Sequence, residues 1–283
     1  MIRAIGIGDC VCDKYLHLGK MFPGGQALNF AVQCSMAGCE AAFVGVGGSD
    51  HVASHIRAVL TELGVDISRT RNVEGENGYA VVDLKDGERV FVFSNKGGVL
   101  REQPLSLSAD DLDYISSFDI AHTSNNGYTD KQLSRLRALD IFLSYDFSLS
   151  WADTERMHGV CGNIDAGFFS CAGCTNDEAR ALLRRASKQG CSLAVATLGE
   201  RGALAFDGTN FYEYRPAPLE PVDTLGAGDA FAAGFLMAYI ARREESGQAA
   251  AVQSALVRGA ALSAKTCMTY GAFGYGVDIE ETV

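Results

Sequence analysis

The chain has 283 residues, 47% of them apolar, with 32 glycines and a formal net charge of −11. Such a balance speaks against a nucleic-acid binder, whose surface is normally basic toward phosphates, and the longest largely apolar run, 230–241, is about half of the ~20 residues needed to cross a bilayer. MIRAIGIGD enters a strand-like pattern with no cleavable leader, so the expectation is a cytoplasmic protein, with no nucleic-acid and no membrane partner, built as two domains or as one large α/β unit.

In chain order, 2–8 (IRAIGIG) reads as a buried strand and 26–37 as a helix stopped by Gly38. A second strand follows at 41–48, then a helix capped by Ser49 or Asp50 that runs to about Leu63 and ends at Gly64. Segment 78–93 (GYAVVDLKDGERVFVF) reads as a hairpin closed at Asp86-Gly87, a dipeptide suited to the positive φ of a tight turn. Strand-like 119–124, 141–148, 166–171 and 193–199 then alternate with helices near 129–138, near 151–158 and at 176–188. A second Asp-Gly hairpin spans 203–214, and helices occupy 230–242 and 249–268. This alternation predicts a mostly parallel sheet covered by helices on both faces. The 78–93 hairpin breaks the rhythm and is the candidate for a separate small sheet or lid. Ligands of open parallel sheets sit at the carboxyl ends of strands; Asp9, Asp13, Asp146 and Thr197 fall there.

The stretch PVDTLGAGDAFAAGFL places Gly226, Ala227 and Gly228 directly before Asp229 and an apolar helix. A loop without side chains at a helix N-terminus exposes backbone N–H groups and partial positive charge, which suits phosphate oxygens. A carboxylate does not bind phosphate, so Asp229 points to proton abstraction from a hydroxyl that attacks phosphorus. The alternative is a glycine turn with an Asp favoured by the helix dipole. In PGGQALNFAVQC, Gly24 and Gly25 permit close backbone approach and Asn29 follows, while Asp13 lies upstream. Asp and Asn suit sugar hydroxyls, though a turn and cap would also account for them. Neither a Walker loop nor the protein-kinase signature set is present.

Nine cysteines, an odd number, argue against a disulfide framework. Cys10 and Cys12 form a CxC and Cys171 and Cys174 a CxxC, read as structural thiols over a metal or redox site. His51 and His55 lie four apart on a helix, but Val52 stands where the zinc-protease pattern needs Glu.

Taken together, these stretches resemble the PfkB (ribokinase-like) carbohydrate kinases over most of the chain. DTLGAGDAFAAGFL matches the family's C-terminal signature and GGQALNFA, with Gly38 and Gly48, its N-terminal one; VATLGERGALAFDG is similar to its nucleotide-side segment. Within the family, IGDCVCD, GGQALNFAVQC, DGERVF and YDFS resemble the fructoselysine 6-kinases. The resemblance implies one ribokinase-like α/β domain over 1–283, with a small β lid formed by about 78–96 and about 13–23. It implies transfer of the ATP γ-phosphate, with Mg²⁺, to a sugar hydroxymethyl group, O6 of fructoselysine on the closer resemblance. Asp229 would be the base and Gly226, Ala227 and Gly228 the anion hole. Asp13, Gly24, Gly25 and Asn29 would hold the sugar, and Thr197, Gly199 and Gly202 would face the nucleotide. Glu178 would stand on the Mg²⁺ side, although Thr175 departs from the family's Asn. Asp223 and Thr224 sit where relatives bind a monovalent cation, often potassium. Arg89, Asn95 and Lys96 of the lid are candidate partners for the lysine part, and a homodimer through the lid is expected. The alternatives are a kinase for a simpler sugar such as fructose or ribose, and a non-catalytic sugar- or nucleotide-binding regulator, against which the intact Asp229 speaks.

Overall fold

A computed structural model describes residues 1–85 and 88–279. β1 (Arg3–Gly8) is followed by β2 (Val11–Tyr15) and β3 (Lys20–Gly24), then by α1 (Gln26–Met36), β4 (Glu40–Gly47) and α2 (His51–Glu62). After β5 (Arg71–Asn72) come β6 (Gly78–Lys85), β7 (Glu88–Ser94), α3 (Val99–Glu102), α4 (Ala109–Ser116) and β8 (Ile120–Ser124). The alternation continues with α5 (Leu133–Arg137), β9 (Phe142–Ser148), α6 (Thr154–Cys161), β10 (Ala166–Ser170), α7 (Asn176–Lys188) and β11 (Leu193–Thr197). β12 (Ala203–Phe206), β13 (Phe211–Tyr214), α8 (Ala227–Arg242), α9 (Gln248–Thr266) and β14 (Val277–Asp278) complete the chain.

Nine strands form the main sheet in the order β13-β12-β11-β10-β9-β8-β1-β4-β5. All neighbours from β11 to β5 are parallel, and only β12 and β13 return antiparallel. Alternate residues of each strand face opposite helix layers. Ala4, Ile120, Phe168 and Val195 pack with α8 and α9, while Ile5, Ile7, Ala121 and Leu143 pack with α4 to α7. Burial on both faces explains why the parallel strands read as continuous apolar runs. The crossing of α8 and α9 is made by glycine: a Cβ at Gly234 of α8 would lie 2.7 Å from the Arg258 carbonyl oxygen of α9.

The second sheet has the order β14-β3-β2-β6-β7. It contains the 78–93 hairpin, whose Asp86-Gly87 turn lies outside the described residues, together with β2 and β3, for which the sequence showed no clear strand period. Helix α4 also escaped the sequence pattern, though Ser108 and Asp111 close a capping box at its start. The helix expected near 129–138 is a 3-10 turn at Asp130–Gln132 followed by the five-residue α5. The one expected near 151–158 begins at Thr154, because Asp153 caps it by accepting from Glu155 N and Arg156 N. Among the described residues, no helix is long and apolar enough to cross a membrane.

Candidate active site

The carboxyl ends of β1, β8, β9, β10 and β11 meet at one edge of the main sheet, and α1 and α8 point their N-termini into it. Gly226, at φ +74, is the N-cap of α8; a Cβ there would lie 2.4 Å from that of Ala272. The first N–H groups of a helix have no partner within it. Ala227 N donates to Thr224 O at 3.3 Å, and Gly228 is exposed, with nothing within 4 Å of where its Cβ would stand. Asp229, the third helical residue, is buried and accepts a 2.7 Å bond from Asn29 Nδ2.

Asn29 reaches Asp229 because Asp9 fixes the start of α1. The Asp9 carboxylate accepts from Gln26 N at 2.8 Å, from Ala27 N at 3.1 Å and from Ser124 Oγ at 3.2 Å. Gly24 makes room for Asp13: a Cβ would stand 2.5 Å from Asp13 Oδ2 and 4.0 Å from Asn29 Oδ1. Gly25, at φ +113, packs against the Asp9 carbonyl. Asp13, Gly24, Gly25, Asn29 and Asp229 therefore converge. Asn29 Oδ1 is buried and has no hydrogen-bond partner among the described residues, which fits it to accept from a ligand hydroxyl.

Four buried carboxylates share this space. Burial, then the charge of Asp146, holds the Asp229 carboxyl well above its ordinary range; the Asn29 amide offsets part of this, and Asp9 and Asp13 add to it. Burial pushes Asp146 up to about 6, against hydrogen bonds from Ser148 N and the Gln26 side chain. Asp9 is also raised by burial. Gln26 Oε1 in turn accepts from Asn126 Nδ2 at 2.9 Å. Sequence reasoning noted Asp9 and Asp146 at strand ends but gave them no role, and it passed over Gln26 and Asn126. The signal available was their position at carboxyl ends of parallel strands or in the loops that follow.

Across the edge, Thr197 ends β11, and Gly199 and Gly202 adopt φ +63 and +97. A Cβ on Gly202 would fall 2.0 Å from the Tyr214 carbonyl oxygen, so this glycine seats the turn against β13. The turn also grips the CxxC segment: Cys171 N donates to Thr197 O, and Arg201 Nη2 to the carbonyls of Cys171, Ala172 and Cys174. Cys171 is buried and its thiol is pushed up to about 12 by burial and by Cys174. Thr175 is the N-cap of α7, and Glu178 completes a capping box with it. Glu178 Oε2 accepts from Thr175 N at 2.7 Å and Oγ1 at 2.8 Å, and these bonds hold its carboxyl below the usual range.

Asp223 is buried and joins three segments. It accepts from Tyr15 Oη of the second sheet at 2.5 Å, Gly271 N at 2.9 Å and Leu225 N at 3.0 Å; Thr224 beside it is exposed. Asn95 locks the end of β7, accepting from Tyr79 N and donating to Asn77 O and Glu76 Oε2. The Arg89 side chain lies outside the described residues. His51 is exposed, and the His55 ring lies 2.8 Å from the Tyr275 carbonyl oxygen.

The profile of the pfkB family carbohydrate kinases matches residues 11–272. The fructosamine kinase FrlD of Bacillus subtilis (strain 168) is 36% identical over 276 residues, 97% of this chain and 94% of that protein. The fructoselysine 6-kinase of Escherichia coli (strain K12) is 32% identical over 267 residues, 94% of this chain and 98% of that one. Among solved structures, fructokinase from Vibrio cholerae O395, bound to fructose, ADP and calcium, superposes with a TM-score of 0.77 at 23% identity, covering 96% of this chain and 95% of that one.

Proposed function

Since the chain belongs to the pfkB family of carbohydrate kinases and is a sugar kinase using ATP, we propose that its acceptor is fructoselysine, phosphorylated at O6. The observation that carries this reading is Asp229, buried against Asn29 in the first turn of a 16-residue helix whose second residue, Gly228, faces open space. O6 attacks the γ-phosphorus, its proton passes to Asp229, and the bond to the leaving ADP oxygen breaks. A raised carboxyl is a stronger base than an ordinary one, which suits proton abstraction near neutrality. Asn29 Nδ2 orients the base, while Asn29 Oδ1 and Asp13 accept from sugar hydroxyls. Gly24 and Gly25 let the sugar approach the backbone.

The N–H groups of Gly226, Ala227 and Gly228 stabilise charge on the transferred phosphoryl group, and Thr197, Gly199 and Gly202 border the nucleotide. Mg²⁺, when bound, neutralises phosphate charge. Among the described residues, no group of three His, Cys, Asp or Glu could hold a metal. Mg²⁺ is usually held by substrate phosphates, water and one or two carboxylates, for which Glu178 is the candidate. Asp223 and Thr224 are the candidate potassium ligands. The second sheet acts as a lid over the sugar. Its edge strand exposes Phe91 and Val92, apolar surface that a second copy of the chain would cover.

The test is ADP release with Mg-ATP and fructoselysine, fructose, ribose or no sugar. A rate confined to fructoselysine supports the reading; a rate with a simple sugar replaces the substrate and keeps the chemistry. Asp229→Asn should retain ATP binding and lose at least about 10²-fold in turnover. Near-normal turnover in that variant removes Asp229 from the role of base.

A further inference from the structure

Fructoselysine carries, beyond its sugar, the four-carbon stem of lysine and a zwitterionic head. The sugar site described above contains four buried carboxylates, which would repel the carboxylate of that head. A cavity of about 370 Å³ lies at the end of β7, lined by Glu76, Ser94, Asn95, Lys96, Arg101 and Glu102, with Phe93 as an apolar wall. Two cations and two anions make its lining neutral overall, as a zwitterion requires.

Strand register places this cavity beside the sugar. Asp13 pairs with Ala80 across β2 and β6, and Ala80 with Ser94 across β6 and β7. Ser94 therefore lies two strand spacings, about 10 Å, from Asp13. A second link runs through the loop after β8. Asn126 contacts Gln26, and Tyr128 Oη donates to Lys96 O at 2.8 Å. Lys96 and Tyr128 are both non-glycine residues in the left-handed region, at φ +57 and +53. Backbone strain of this kind collects at ligand clamps.

On the fructoselysine reading, we propose that this cavity recognises the amino-acid head of the substrate. Arg101 takes its α-carboxylate and Glu76 its α-ammonium, while Phe93 packs along the stem. Among the described residues, Arg101 forms no ion pair, and its short helix is anchored by the buried Val99 and Leu100. A guanidinium matches a carboxylate through two parallel hydrogen bonds. Glu76 is oriented by Asn95 Nδ2 at 3.2 Å.

The test compares fructoselysine with the fructosyl adduct of butylamine, which keeps the sugar and stem but lacks the head. Arg101→Ala should raise the KM for fructoselysine about 10- to 100-fold, leave kcat unchanged, and move the KM for the butylamine adduct by less than about 2-fold. Glu76→Gln should likewise raise only the fructoselysine KM, with thermal denaturation confirming that both variants fold. Equal effects on the two substrates, or none on either, overturn the assignment while the substrate reading stands. Wild-type protein that does not turn over fructoselysine overturns both.

Discussion

Replacing Gly228 with alanine separates two quantities that usually fall together. Gly228 is a helical residue of α8 with ordinary backbone angles, and its Cβ would meet nothing within 4 Å. Alanine is favoured over glycine in a helix by about 0.8–1.0 kcal/mol. Unfolding entropy of about 2.1 cal/mol/K per residue gives roughly 0.6 kcal/mol/K for this chain, so Tm should rise by about 1–2 °C. The space that admits the methyl group is also where phosphate oxygens would reach the helix N-terminus. A methyl there holds the phosphoryl group off one backbone donor, and loss of one such donor costs about 10²–10³ in kcat. Thermal denaturation together with steady-state ADP release measures both. Turnover within about 3-fold of wild type would refute the anion hole, and a Tm lowered by several degrees would refute the open geometry. Gly226→Ala supplies the contrast. At φ +74 an L side chain costs about 1–2 kcal/mol, and its Cβ overlaps Ala272, so this variant should lose both stability and activity.

Asn29→Ala should raise the sugar KM more than the ATP KM; the reverse ranking would move Asn29 out of the sugar site. It also removes the hydrogen bond that lowers the Asp229 pKa, so the acid limb of the pH–rate profile should move to higher pH. Asp146→Asn removes a charge that raises Asp229 and should move that limb to lower pH. Asp146 itself is raised from 3.8 to about 6, so the native state binds its proton more tightly than the unfolded chain. The stability of the ligand-free protein should fall as pH rises from about 4 through about 6, by on the order of 3 kcal/mol from this group, and Asp146→Asn should flatten that slope in denaturant titrations. Thr175→Ala and Glu178→Ala both break the α7 capping box, the loss of the Thr175 N-cap costing about 1 kcal/mol. Only Glu178→Ala should raise the Mg²⁺ concentration needed for half-maximal rate; equal Mg²⁺ profiles would reduce Glu178 to a cap.

The features legible in the sequence were those set by short-range chemistry. Strands β1, β4 and β8 to β11 showed as apolar runs because both their faces are covered. Helix α2 showed through Asp50 and Gly64, whose cap and left-handed turn act within a few residues. The loop before Asp229 showed because its glycines and acid are adjacent. The sugar-side grouping of Asp13, Gly24, Gly25 and Asn29 was reached by resemblance, and the fold then brought these residues to Asp229. What only the tertiary structure decided is non-local. Asp9 became the anchor of α1 by accepting hydrogen bonds from residues 17 and 18 positions away. Tyr15 met Asp223 across 208 positions, tying the second sheet to the loop that opens α8. β2 and β3 took strand form from their sheet partners, since their own pattern of polar and apolar residues has no clear period. The raised carboxyls of Asp146 and Asp229 follow from enclosing four acids in one buried space, and a carboxylate's solvation is set by what folds around it rather than by its neighbours along the chain.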